Sequence, residues 1–299
     1  MRRLLPLLLI PLALAGCRSS GSAGHPAVVA TTTQVADITR AVAGPGTQVK
    51  QILQPGSDPH EYEPRPSDAE AVAGAKLIVR SGGDVDGWLS GVIGQAGGEA
   101  KVLDLIDVVQ RHGADPHWWQ DPRNAERATE AIRAALTEAD PKGAAGYRAR
   151  ANAYLKRLKA LDSSIAACVN QLPRSARKLV TSHDALGYYA RRYGFTVIGA
   201  AIPSLSTQAQ PSAAATQRLV DQIKAQHVAA IFPESALNPK LEQAIARDAG
   251  AKVGGALWAD ALGPKGSSGA TYLGALAANT RTIVAALSRG RATCAGSHP

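Results

Sequence analysis

Short apolar runs of strand type alternate with helical stretches in two separate blocks of this chain. Between the blocks, residues 122–172 contain no strand-type run. This alternation is a strong constraint. Parallel strands need long, usually helical crossovers, so each block folds as a mostly parallel sheet with helices on both faces. In the first block, strands are expected at Ala27 to Thr32, Val49 to Leu53, Lys76 to Arg80 and Lys101 to Leu105. Helices are expected at Thr33 to Val42, Ser67 to Gly74 and Trp88 to Ile93. In the second block, strands are expected at Lys178 to Thr181, Phe195 to Ile198, Val228 to Phe232 and from Lys252. Helices there are expected at Asp184 to Tyr193, Ser212 to Ala225, Pro239 to Ala249 and Tyr272 to Leu287.

The middle stretch has helical spacing throughout: Ile132 and Leu136, then Tyr147, Tyr154, Leu155, Leu158, Leu161 and Ile165. Pro141 divides it into two helices, with Asp140 placed to cap the second, which runs to about Asn170. The resulting fold class is α/β: two lobes, each a mostly parallel sheet with helices on both faces, joined by one long helix. The expected domains are an N-terminal lobe at 27–121, a helical connector at 122–176 and a C-terminal lobe at 177–299.

The chain begins Met1-Arg2-Arg3, followed by an apolar run from Leu4 to Leu14 and then Ala15-Gly16-Cys17. A bilayer-spanning helix needs about 20 apolar residues, so the run reads as a cleaved export signal. Leu14-Ala15-Gly16-Cys17 is similar to the bacterial lipoprotein box, which makes residues 1–16 the signal peptide and Cys17 the lipidated N-terminus. An ordinary secretory signal cut elsewhere is the alternative. Residues 17–26, rich in Ser and Gly, read as a flexible tether. The location is therefore extracytoplasmic, with a lipid anchor in the cell membrane. In that environment the two remaining cysteines, Cys168 and Cys294, can pair as a disulfide or stay as free thiols. The formal charge is +9, but the basic residues are scattered and aromatics make up only 4% of the chain, so no nucleic acid partner is indicated.

Asp-Pro-His occurs twice, at 58–60 and 115–117, in a chain with seven histidines. His60 follows the second strand, His117 the fourth, and His183 the first strand of the second block. Open α/β sheets bind ligands at that carboxyl edge. Asp260, after the last strand, shares the position, although an aspartate there can equally cap a helix. Three imidazoles and one carboxylate suit zinc, whereas calcium and magnesium prefer oxygen donors. His25, His112, His227 and His298 carry no such pattern.

Five stretches together resemble the cluster A-I (cluster 9) metal-binding lipoproteins, the receptors of ABC importers for zinc or manganese. They are Gly56-Ser57-Asp58-Pro59-His60-Glu61-Tyr62-Glu63-Pro64, Asp115-Pro116-His117-Trp118-Trp119-Gln120-Asp121-Pro122, Thr181-Ser182-His183-Asp184-Ala185-Leu186-Gly187-Tyr188, Ile231-Phe232-Pro233-Glu234 and Asp260-Ala261-Leu262-Gly263. The resemblance implies a metal cleft between the lobes, with His60, His117, His183 and Asp260 as ligands and Glu234 just behind them. It implies an ABC permease and its ATPase as partners, and a monomeric receptor rather than an enzyme. Two departures bear on the metal. The segment before His117 is short and has only His112, without the long His-rich loop of many zinc members. The third ligand is His183, where manganese members often have Glu. A nitrogen-rich site favours Zn2+ over the harder Mn2+, which is the alternative.

A zinc-dependent hydrolase is a competing function, with Glu61 or Glu234 as the base. However, four protein ligands leave a tetrahedral ion no place for water, and there is no His-Glu-x-x-His helix. A surface adhesin is the third reading, supported only by location.

Overall fold

The computed structural model describes residues 27–294. The signal peptide, Cys17 and the rest of the tether, with His25, and His298 lie outside the described residues.

In the N-terminal half, β1 (Val28–Ala30), α1 (Thr33–Ala43), β2 (Val49–Gln51), α2 (Pro66–Ala73), β3 (Leu77–Arg80), α3 (Leu89–Ala96) and β4 (Lys101–Asp104) alternate as expected. The four strands pair in parallel in the order β2-β1-β3-β4. Reversing the order around β1 opens a crevice at the strands' carboxyl ends. Buried Asp86 braces that edge, accepting hydrogen bonds from Thr31 Oγ1 (2.6 Å) and from the backbone N–H groups of Ser81 (2.7 Å) and Gly82 (3.0 Å). Gly82 has φ +87°, and a Cβ there would fall 2.0 Å from Asp104 Oδ1, so the turn after β3 requires glycine.

The connector consists of α4 (Pro122–Ala139) and α5 (Ala144–Val169). Asp121 caps α4, its carboxylate accepting from the Arg123 N–H, with Pro122 in the first turn. Asp140 does not cap α5 as expected. Pro141–Gly143 forms a 3-10 turn, Gly143 becomes the cap residue, and the Asp140 carboxylate accepts the Tyr147 hydroxyl instead (2.9 Å). The 26 residues of α5 span about 39 Å at 1.5 Å each. Its buried face runs Tyr147, Ala151, Tyr154, Leu158, Leu161, Ile165, Cys168, a strict 4-3 alternation that forms one apolar stripe. Near its start, Arg150 donates to the carbonyls of Val42 and Ala43 at the end of α1, both at 2.8 Å. At its end, Cys168 meets Cys294, with Cα atoms 5.1 Å apart. No helix among the described residues is long and apolar enough to cross a membrane.

The C-terminal half contains β5 (Lys178–Thr181), α6 (Gly187–Tyr193), β6 (Thr196–Ala200), α7 (Ala213–Ala225), β7 (Ala230–Ile231), α8 (Lys240–Ala249), β8 (Lys252–Val253) and α9 (Tyr272–Leu287). β5 pairs with β6 and β7 with β8, both in parallel, and a parallel bridge between Thr181 and Phe232 joins the two pairs. Helix α6 starts three residues later than expected. The Asp184 N–H is taken by the Ser204 carbonyl (2.9 Å) and the Ala185 N–H by the His183 carbonyl (2.9 Å), which keeps 183–186 as a loop. One apolar cluster runs from Val28 and Leu77 in the first sheet through Tyr154, Leu158 and Ile165 of α5 to Leu179, Phe232 and Ile283 in the second half.

Candidate metal site

Each of the four residues reaches the cleft from a loop at a strand's carboxyl end, and each loop is held by its own partners. The Asp58 carboxylate accepts the His60 N–H (2.9 Å), turning the loop after β2 around Pro59. Across the cleft, Thr207 Oγ1 donates to the other Asp58 oxygen (2.7 Å) and Gln208 Nε2 to the His60 carbonyl (2.7 Å). In the second Asp-Pro-His, Asp115 Oδ1 lies 2.9 Å from the His117 N–H nitrogen and 2.8 Å from Nδ1. A carboxylate on Nδ1 keeps the proton there and leaves the Nε2 lone pair free. The turn after His117 is pinned by buried Trp118, whose Nε1 donates to Ser81 Oγ (3.1 Å).

Thr181 Oγ1 donates to the His183 carbonyl (2.7 Å), and His183 Nδ1 sits 3.0 Å from Glu234 Oε2. The other Glu234 oxygen accepts the Asp260 N–H (2.9 Å). The residue before Asp260 is tied to the opposite half: the Ala259 carbonyl accepts from Trp119 Nε1 (2.8 Å), Gln120 Nε2 (2.9 Å) and Gln34 Nε2 (3.4 Å).

These restraints bring His60, His117, His183 and Asp260 together, with one donor atom from each lying within 4.8 Å of the others. Asp260 Oδ2 is 3.2 Å from His60 Nε2 and 3.0 Å from His183 Nε2. Asp260 Oδ1 is 3.6 Å from His117 Nε2, and the Nε2 atoms of His117 and His183 are 3.3 Å apart. All four side chains are at most 2% exposed. His60 Nε2 and both Asp260 oxygens are buried without a hydrogen-bond partner among the described residues, although buried polar atoms are ordinarily satisfied. Zinc holds nitrogen and oxygen donors at about 2.0–2.2 Å in a tetrahedron whose edges are then roughly 3.3–3.6 Å. The donor set suits such an ion, and one atom from each residue lies within 4.8 Å of the others, close enough to gather around it.

The electrostatics agree with that fit. Burial raises the cost of charge on Asp260, but His183 and His117 beside it outweigh burial and hold the carboxyl well below its usual range. Burial opposes the His183 imidazolium, yet Asp260 and Glu234 push its pKa up to about 11. Burial and the Asp260 charge raise Glu234. The cluster thus pairs an ionised Asp260 with a protonated His183, a proton that a divalent ion would have to displace.

The sequence reading missed Asp58 and Asp115 as partners of the histidines. The signal was present in the repeated Asp-Pro-His, which places the carboxylate two residues before each imidazole. Trp119 and Gln120 stand in the stretch around His117, but nothing in the sequence marked them, or Gln34, as partners of the Ala259 carbonyl.

Fold and site together define a class: a two-lobed α/β receptor with a single helical crossing, closed around a three-histidine, one-carboxylate cluster. Residues 28–286 match the family model described as zinc-uptake complex component A, periplasmic (ZnuA), and the chain belongs to that family. The zinc-binding protein TroA of Treponema pallidum is 33% identical over 287 residues, which cover 92% of each chain. The manganese-binding lipoprotein MntA of Halalkalibacterium halodurans is 33% identical over 258 residues, covering 85% of each. The solved structure of periplasmic zinc-binding TroA from Treponema pallidum superposes with a TM-score of 0.82 at 31% identity, covering 88% of this chain and 99% of that one.

Proposed function

We propose that this protein captures a divalent transition metal, zinc in preference to manganese, and delivers it to an ABC permease and its ATPase. The observation that carries the reading is the convergence of four buried donors from four loops, one atom from each within 4.8 Å of the others. Its relatives are named for zinc, manganese and iron, so the preference rests on the donors. Three nitrogens and one oxygen disfavour the harder manganese ion. His60, His117, His183 and Asp260 are the ligands, and Glu234 orients His183. Because all four positions are filled by protein, no hydrolytic activity is expected. Cys17 carries the lipid anchor, the domains divide at 121 and 176, and the protein works as a monomer outside the cytoplasmic membrane. The test is metal analysis of protein purified without added metal, followed by zinc and manganese titrations in competition with a chelator. Stoichiometric manganese, bound more tightly than zinc, would overturn the preference.

The lobes are expected to move little on loading. The apolar cluster is continuous from the first sheet through α5 to the second, and repacking it would expose buried surface. Small-angle scattering of apo and loaded protein should give nearly superimposable profiles. A change on the scale of a hinge closure would refute the stiff connector.

Cys168 and Cys294 form a disulfide in this reading. Their Cα separation of 5.1 Å lies inside the usual range of about 4.4–6.8 Å. The bond closes a loop with a sequence separation of 126 around the whole C-terminal half. Constraining so long a loop is worth roughly 2–5 kcal/mol. Cys168→Ser and Cys294→Ser should each lower Tm by several degrees, and alkylation of the parent should need prior reduction. Two thiols that alkylate freely in the unreduced, unfolded protein would exclude the bond.

A further inference from the structure

Glu242, in the first turn of α8, is 2% exposed and has no place in the ligand set, yet the cleft-facing loops of the second half connect to it. Ser182 Oγ donates its hydrogen to Glu242 Oε1. The same Ser182 oxygen accepts the Glu234 N–H (2.9 Å). Glu234 in turn places one oxygen 3.0 Å from His183 Nδ1 and receives the Asp260 N–H on the other (2.9 Å). Ser182 also adjoins His183 in the chain.

A hydroxyl has one hydrogen to give and two lone pairs to receive with. With that hydrogen committed to Glu242, a Ser182 lone pair is left facing the Glu234 amide. Without the Glu242 acceptor the hydroxyl can turn, and the Glu234 amide loses a fixed partner. The second oxygen of Glu242 is buried without a hydrogen-bond partner among the described residues. A carboxylate kept half-satisfied in an interior is costly, and an apolar side chain of similar size would avoid that cost.

We propose that Glu242 is a positioning residue for the metal site. Through Ser182 it fixes the turn bearing Glu234, and through Glu234 it fixes His183 and Asp260, the two ligands supplied by the C-terminal half. The proposal builds on the metal-capture reading above and adds a residue that touches neither the metal nor a ligand. Outer partners of metal ligands typically change affinity by about 10–100-fold. A residue one link further out is expected near the lower end of that range.

The test uses Glu242→Gln, Glu242→Leu, Ser182→Ala and the Ser182→Ala/Glu242→Leu double variant, each checked for folding by circular dichroism. Glu242→Gln keeps an acceptor for Ser182 and should bind zinc like the parent. Glu242→Leu and Ser182→Ala should each bind roughly tenfold more weakly. The double variant should lose no more than either alone, because all three changes break one linkage. In metal-free protein, the side-chain nitrogen resonances of His183 should shift in Glu242→Leu and Ser182→Ala but not in Glu242→Gln. Unchanged affinity and unchanged His183 resonances in folded Glu242→Leu and Ser182→Ala would overturn the proposal. So would an equal loss in Glu242→Gln, or losses that multiply in the double variant. If Glu242→Leu does not fold, Ser182→Ala and Glu242→Gln decide between the same outcomes. A parent that takes up no zinc would refute metal capture, while the His183 resonances would still decide the role of Glu242.

Discussion

Replacing His60 or His183 with alanine is expected to weaken zinc binding by more than about 100-fold, beyond the 10–100-fold typical of losing an outer partner. Each substitution removes one of the four donors proposed to hold the ion, and water would have to enter a buried site to replace it. The two variants should differ without metal. His60→Ala removes an imidazole that faces Asp260 alone among the carboxylates. His183→Ala removes the cation lying between Asp260 and Glu234, so two buried carboxylates then confront each other. One must take up a proton, and the metal-free protein should lose more stability than with His60→Ala. His112→Ala, whose ring packs on Tyr188 and is not one of the four clustered donors, is the control and should bind zinc like the parent. Either ligand variant binding zinc as tightly as the parent, by chelator competition, would show that the ion sits elsewhere.

Zinc affinity should fall steeply on acidification. Three of the four donors are imidazoles, and an imidazole binds metal only when neutral. The sign follows from which form is charged. In the metal-free cluster, Asp260 and Glu234 raise the His183 pKa to about 11, so at neutral pH this ring has to release a proton for zinc to enter. Each unit of acidification near pH 7 therefore costs about a factor of ten in apparent affinity from that ring alone. Each further imidazole of the cluster that takes up a proton as the pH falls steepens the slope beyond one, with three as its limit. Asp260 stays ionised throughout, because His183 and His117 hold it well below the usual carboxylate range despite its burial. The measurement is zinc affinity from about pH 7.5 to 5 against a chelator of known pH dependence. A slope that never exceeds one would mean the three histidines do not share one ion.

Much of this was legible in the residue order. Strand and helix periodicity are local properties, so every strand and helix was placed to within a few residues. Two helix starts were displaced by hydrogen bonds that periodicity does not encode. The start of α6 was displaced because Ser204 takes the Asp184 amide, and the start of α5 because Asp140 binds Tyr147 rather than capping. The strand ends also placed His60, His117 and His183 on the edge where ligands bind. The pattern alone left Asp260 open, because an aspartate before a helix looks the same whether it caps or coordinates, and only the family resemblance named it as a ligand.

What the sequence alone determined is therefore the alternating architecture, the single long helix with its 4-3 stripe, and the edge carrying the histidines. Only the tertiary structure decided that Asp260 joins them, that one apolar core runs through both halves, and that Glu242 reaches the cleft through Ser182. The physical reason is range. A helix or strand is specified by contacts a few residues apart. The Asp260 loop is instead held by partners 139 to 229 positions away: Gln120, Trp119 and Gln34 donate to the Ala259 carbonyl, and Thr33 accepts the Leu262 N–H. Such partners become neighbours only when both sheets have packed against α5, and no period in the sequence encodes that juxtaposition.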